Sequence, residues 1–95
     1  MNKEEIIDKI RVFFADKPIS KAYLFGSYAR NEQTQESDLD IVVDFEHQAN
    51  LFDLISLQQN LSELLELKVD LLSSKGVSKF VKPYIEQDKV LIYER

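Results

Sequence analysis

The chain of 95 residues is long enough for one domain, residues 1–95, and 44% of its residues are hydrophobic, which supports a small core. It has no cysteine, which excludes disulfides and thiolate metal sites, and its formal net charge of −5 with no basic run argues against binding of duplex DNA. No apolar run approaches the roughly 20 residues that span a bilayer and the start of the chain lacks a signal peptide, so we expect a soluble cytoplasmic protein without membrane association.

The first third of the chain predicts a helix, a strand and a short second helix. Residues 3–15 are amphipathic, because large apolar side chains recur at helical spacing (Ile6, Ile7, Ile10, Phe13 and Phe14). An apolar run over residues 22–25 predicts the first strand, which ends at Gly26. We expect a short helix over residues 27–30 and a polar loop over residues 31–37.

Residues 38–45 predict a strand, because Ile and Val dominate a short run. Side chains alternate along a strand, so Asp38 and Asp40 share one face and Leu39, Ile41, Val43 and Phe45 share the other. Two carboxylates about 5 Å apart repel by on the order of 3 kcal/mol at an effective dielectric near 20, and a hard cation such as Mg²⁺ offsets that repulsion. The alternative is that both lie in water at the frayed start of the strand. Asp44 has the same parity but lies roughly 13 Å beyond Asp40, so we leave it out of this site.

The pair Gly26 and Ser27 follows the first predicted strand directly. Glycine permits a close approach that a Cβ would block, backbone N–H groups at a helix start favour anions such as phosphate, and the Ser27 hydroxyl can donate to a phosphate oxygen. The alternative is an ordinary strand-to-helix turn with a serine cap. No Gly-Lys-Ser/Thr follows, so the segment is not a Walker-type loop.

A third carboxylate, Asp70, lies in another predicted strand over residues 67–72. Asp70 shares a face with Lys68 and Leu72, while Leu67, Val69 and Leu71 share the opposite face. Asp70 can join Asp38 and Asp40 if the two strands are neighbours. Otherwise it is a charge at the end of a strand.

The second half of the chain supplies two more helices around this strand. Residues 51–65 predict a helix with a leucine-rich stripe, and residues 73–76 predict a turn. Residues 77–87 predict a last helix, in which Pro83 should produce a kink or a break near Lys82.

The alternation of helices and strands, closed by a final strand or extended tail over residues 90–93, predicts an α/β (α+β) layer with helices against a small sheet. The strand parities predict that the helices cover the apolar face of residues 39–43 and 69–71. They leave the face with Asp38, Asp40 and Asp70 open.

The sequence resembles the nucleotidyltransferase superfamily that includes DNA polymerase β. The resemblance lies in a Gly-Ser pair, an Asp-x-Asp motif after a gap of ten residues, and a further Asp in a later strand. The short length and the form Gly-Ser-Tyr-Ala-Arg…Ser-Asp-Leu-Asp resemble the minimal nucleotidyltransferases (MNT proteins) of bacteria and archaea, from Ile6 to Tyr93. One departure is Asn31, where many relatives have Gly; Asn tolerates the left-handed conformation better than most residues.

The resemblance implies the polymerase-β-like fold, a small mixed sheet with an active site on its open face. It implies transfer of AMP from ATP to a hydroxyl, with two Mg²⁺ ions held by Asp38, Asp40 and Asp70. Gly26 and Ser27 would bind the β- and γ-phosphates. Arg30 would add charge there, or would form a surface salt bridge instead.

Larger relatives carry further domains that bind the acceptor, so we expect a partner protein or a second copy of this chain to complete the acceptor side. Resemblance implies that the partner is a HEPN-type ribonuclease toxin, neutralised by transfer of AMP to one of its tyrosines. Two alternatives stay open. One is an antitoxin that acts by binding alone, and the other is a nucleotidyltransferase that acts on a small molecule or an RNA end.

Overall fold

A computed structural model describes residues 1–95 as a four-stranded sheet, four α-helices and one 3₁₀ turn. The elements in chain order are α1 (Lys3–Phe14), β1 (Ile19–Phe25), α2 (Gly26–Ala29), β2 (Leu39–Phe45), α3 (Leu51–Leu65), β3 (Val69–Ser73), the 3₁₀ turn (Ser74–Gly76), α4 (Lys82–Asp88) and β4 (Val90–Glu94).

Both long helices begin at an asparagine cap. The Asn2 side chain accepts a hydrogen bond from the Glu5 backbone N–H at 2.8 Å, which satisfies one of the free donors of α1. Asn50 and Asp53 form a reciprocal capping box at the start of α3, each side chain accepting from the backbone N–H of the other. These caps fix where the two helices start relative to the strands.

The sheet is mixed, with the strand order β3-β2-β1-β4. β1 is antiparallel to both β2 and β4, whereas β2 and β3 are parallel and are joined through α3. In this register Asp40 lies opposite Asp70 on one side and Phe25 on the other. The condition for Asp70 to join Asp38 and Asp40, that the two strands are neighbours, is therefore met.

One face of the sheet packs on α1 and α3 and forms the core. Leu39, Ile41 and Val43 are fully buried there, and the helices contribute Ile10, Phe14, Leu61 and Leu65. Dispersion and removal of this apolar surface from water supply most of the folding free energy. The predicted division between a covered apolar face and a face with three carboxylates is confirmed for β2 and β3.

Two elements begin three or more residues away from the sequence prediction. β1 begins at Ile19 rather than residue 22, because Ile19 is buried and pairs with Phe45 although polar residues follow it. The last helix begins at Lys82 rather than residue 77, as the predicted break near Lys82 indicated. Pro83 falls in its first turn, where the missing N–H has no intrahelical acceptor, so Pro83 starts this helix instead of kinking it.

The short helix α4 lies on the same face of the sheet as the carboxylates. Its one buried residue, Ile85, lines a cavity together with Val42, which shares the strand face of Asp40. The face that was predicted to be open is therefore partly covered, by α4. None of the helices has both the length and the hydropathy needed to cross a membrane.

Candidate active site

Three carboxylates meet at the start of the two parallel strands. Asp40 and Asp70 are directly opposite each other in the β2–β3 register, and Asp38 immediately precedes β2. Partial burial, followed by the negative charges of Asp70 and Asp38, raises the pKa of Asp40 to about 6. Asp40 therefore lies where burial and neighbouring negative charge both disfavour its ionised form.

Gly26 is in direct contact with this carboxylate cluster. Its φ of +71° lies in the left-handed region, and a Cβ added there would overlap Asp40 Oδ2 and stand 3.3 Å from Asp40 Cγ. Only glycine avoids both the backbone strain and this overlap. The chain turns here from β1 directly into α2, in which Ser27 is the residue after Gly26.

Arg30 follows α2 and makes two ion pairs. Its Nη1 lies 2.6 Å from Asp88 Oδ2, and its Nε lies 3.2 Å from Glu32 Oε2. The positive charge of Arg30 is also close enough to oppose the rise in the pKa of Asp40. The salt bridge that was one of the two predicted roles of Arg30 is present.

Two neighbours of the site were not among the predicted functional residues. Lys68 Nζ lies 3.4 Å from Asp38 Oδ2 and forms an exposed ion pair with it. The sequence could have suggested this pair, because Lys68 shares a strand face with Asp70. Asp88, the partner of Arg30, belongs to α4 and is only 19% exposed at its side chain. Nothing in the sequence indicates that the end of α4 lies beside α2.

The donor set suits a hard divalent cation. All three predicted ligands are carboxylates on one face, and the part of the rise in the pKa of Asp40 that comes from Asp70 and Asp38 is one that such a cation would offset. The side chains as positioned do not form a complete cage of three or more ligands. Mg²⁺ characteristically binds one or two carboxylates and completes its shell with water and substrate phosphate, so an incomplete cage fits that ion.

The three carboxylates are half-buried and do not line the cavity at the other end of their strands. A cavity of about 450 Å³ lies at the opposite end of β2 and β3, lined by Phe45, His47, Asn50, Leu51 and Lys75 among others. Phe45 is five residues beyond Asp40, or roughly 16 Å along the strand, so that cavity cannot hold the same group as the carboxylates.

A glycine turn packed against an Asp-x-Asp strand, with a third Asp on the parallel neighbour, is the arrangement that the resemblance to nucleotidyltransferases implies. The chain belongs to the polymerase beta nucleotidyltransferase family, whose sequence profile matches residues 8–95. The resemblance found in the sequence is thereby confirmed. The protein is an enzyme of the nucleotidyltransferase class.

A relative from Methanocaldococcus jannaschii named "Putative protein adenylyltransferase" is 44% identical over 92 residues, which cover 96% of this chain and 87% of the relative. A protein adenylyltransferase from Thermococcus cleftensis is 36% identical over 69 residues, or 73% of this chain and 70% of the relative.

Solved structures agree on the fold. A chain of a toxin–antitoxin structure with AMP-PNP superposes with a TM-score of 0.79 at 25% identity and covers all of this chain and 75% of its own length. A chain from a complex of a tri-AMPylated Shewanella oneidensis HEPN toxin with its MNT antitoxin gives a TM-score of 0.80 at 22% identity, covering 99% of this chain and 74% of that one. The polymerase-β-like fold predicted from the sequence is confirmed.

Proposed function

We propose that the protein is a Mg²⁺-dependent adenylyltransferase that transfers AMP from ATP to a tyrosine hydroxyl of a HEPN-type toxin, and that it acts as an antitoxin in this way. The relatives named protein adenylyltransferases support the transfer of AMP to a protein. The solved complex of an AMPylated HEPN toxin with an MNT antitoxin supports the choice of partner.

The observation that carries the proposal is the contact among Gly26, Asp40 and Asp70. Asp40 lies opposite Asp70 in the register and against Gly26, at an electrostatic cost that its raised pKa records. A protein that acted by binding alone would gain nothing from this repulsion. Strained and mutually repelling groups persist where a ligand uses them.

The reaction forms a bond between the acceptor oxygen and the α-phosphorus and breaks the bond from that phosphorus to the bridging oxygen, so that pyrophosphate leaves. We assign Asp70 to accept the acceptor's proton, since it lies beside Asp40 and faces the open side of the sheet. Proton transfer of this kind requires the hydroxyl to come within hydrogen-bond distance of the carboxylate.

Asp38, Asp40 and Asp70 would hold Mg²⁺. The bound ions would stabilise the attacking and leaving oxygens and neutralise the triphosphate. The side chain of Asp38 is 38% exposed and its ion pair is with Lys68, whose side chain is 73% exposed, so Asp38 can turn toward such a ligand. Gly26 and Ser27 would bind the β- and γ-phosphates through backbone N–H groups and the serine hydroxyl. Arg30 would add a positive charge to the same group.

The test is to incubate the protein with labelled ATP, Mg²⁺ and the protein encoded beside it, and to measure the intact mass of both chains. We expect the neighbouring protein to gain one or more AMP units. The gain should disappear with Asp38→Asn. It should persist with Asp16→Asn, a matched substitution at an 80% exposed side chain whose salt bridge joins it only to the adjacent Lys17.

The contradicting results separate the alternatives. A stable complex that silences the neighbour without any gain in mass would replace the enzyme by a binding antitoxin. Label on a small molecule or an RNA end, with no label on the neighbour, would retain nucleotidyl transfer and overturn the choice of acceptor.

A further inference from the structure

Two buried apolar residues outside the main core line one cavity on the face of the sheet that carries the carboxylates. Val42 and Ile85 are both only 4% exposed, yet neither belongs to the main core of 16 residues on the opposite face. α4 supplies Ile85, its one buried residue, and packs on β1 and α2. The main core does not account for the burial of these two residues, because they lie on the other side of the sheet.

α4 leaves a cavity of about 270 Å³ between itself and the sheet. The sheet contributes Tyr23 and Val42 to its lining. The other lining residues include Ser74 and Val77 from the segment after β3, and Lys82 and Ile85 from α4. Specific ligand pockets typically enclose about 300–1,000 Å³. This cavity is smaller than that range, so it suits one part of a nucleotide rather than a whole one.

The cavity begins next to the carboxylates. Val42 follows Asp40 by two residues on the same strand face, and it pairs with Leu72, which follows Asp70 in the same way. One such step along a strand is roughly 7 Å. A group that extends from an α-phosphate at the carboxylates along these strands would reach the cavity directly.

We infer that this cavity receives the base of the nucleoside triphosphate. Val42 and Ile85 offer apolar surface to the faces of a planar ring. The carboxylates of Asp44 and Glu86, which also line the cavity, can accept hydrogen bonds from ring amino groups. The inference rests on the proposed function, since it requires the triphosphate to lie at Asp38, Asp40 and Asp70.

The test compares binding of Mg–ATP and of magnesium tripolyphosphate, which has no base, by titration calorimetry without acceptor. Val77→Trp should fill the cavity from its partly exposed wall, and Ser74→Trp should fill it from an exposed position if the first variant does not fold. Leu51→Trp is the matched control, because Leu51 is 66% exposed and lines the cavity at the other end of the strands.

We expect the wild-type protein and Leu51→Trp to bind ATP about tenfold more tightly than tripolyphosphate, since contacts to one base contribute about that much. In the filled variants ATP should lose this advantage, and binding of tripolyphosphate should stay unchanged. If the filled variants retain the full preference for ATP, the base lies elsewhere and the inference is wrong while the proposed function stands. If the wild-type protein binds neither ligand, the proposed function fails, and this inference fails with it.

Discussion

The two faces of the sheet are made by alternate residues of the same strands and differ in what they contribute. On the core face Leu39, Ile41 and Val43 are fully buried under α1 and α3. On the opposite face Asp38 and Asp40 alternate with them and face Asp70, where burial and like charge raise the pKa of Asp40 to about 6. One face thus stabilises the fold and allows the other to keep unfavourable charge for a ligand. Substitutions on the two faces should therefore have separable effects.

The largest effect should follow from Asp38→Asn, which removes a proposed metal ligand from the carboxylate face. The rate of AMP transfer should fall about 10³-fold, because a lost metal contact removes several kcal/mol of transition-state stabilisation. The midpoint of chemical unfolding should hardly move, since Asp38 is partly exposed and makes only a surface ion pair. A parallel loss of stability and activity would contradict the separation of the two faces.

The opposite pattern is expected of Leu61→Ala on the core face. Leu61 is fully buried in α3, so its truncation should lower the free energy of unfolding by about 3 kcal/mol, measured with urea. The rate per folded molecule should stay at the wild-type value. Leu64→Ala is the control on the same helix, because Leu64 is 46% exposed and its loss should cost less than about 1 kcal/mol.

Gly26→Ala tests the contact between α2 and the carboxylates. A methyl group at φ +71° is strained and would displace the Asp40 carboxylate, so stability should fall by about 1–2 kcal/mol. The rate should fall by up to about 10²-fold because Asp40 is misplaced. Gly76→Ala provides the comparison, since no atom lies within 4 Å of an added Cβ there. Equal behaviour of the two variants would show that the tight contact at Gly26 has no functional consequence.

The smallest effect concerns the stability of the protein without metal or nucleotide. The raised pKa of Asp40 means that its ionised form destabilises the fold, a penalty that is absent below about pH 4 and complete above about pH 6. Asp40→Asn removes the penalty, and because Asp40 is partly exposed we expect a gain of only about 1 kcal/mol at pH 7.5.

This gain corresponds to a rise in Tm of about 4–8 °C for a domain of this size. The difference in Tm between the variant and the wild-type protein should shrink toward zero as the pH is lowered to about 4. A difference that is independent of pH, or a variant less stable than the wild-type protein at pH 7.5, would show that the carboxylate repulsion does not act on the fold.

The alternation of residues along β2 and β3 was sufficient to predict the two faces. A period of two, which depends only on local geometry, places one set of side chains on each side of the strand. Leu39, Ile41 and Val43 lie on one side, and Asp38 and Asp40 lie on the other. The caps at Asn2 and Asn50 are likewise local, because each bond joins residues three positions apart.

The relations that the sequence could not supply are those between distant elements. The cavity that Val42 lines together with Ile85 of α4 and the ion pair between Arg30 and Asp88 join residues more than 40 positions apart. No local period or propensity encodes such contacts. Pro83 shows a related difficulty, because the same residue kinks a helix or starts one depending on where the preceding turn ends. The assignments of Gly26, Ser27, Arg30 and the three Asp residues to catalysis and binding remain predictions.

The central claim is that the carboxylate face binds the metal–triphosphate group, and paramagnetic broadening would test it most directly. The backbone amide signals of this small protein can be followed by NMR while Mn²⁺ and a non-reactive ATP analogue are added. We predict that broadening is strongest at residues 26–27, 38–40 and 70 and weak at residues 45–50. Broadening centred on residues 45–50 and 73–76, at the larger cavity, would contradict the account.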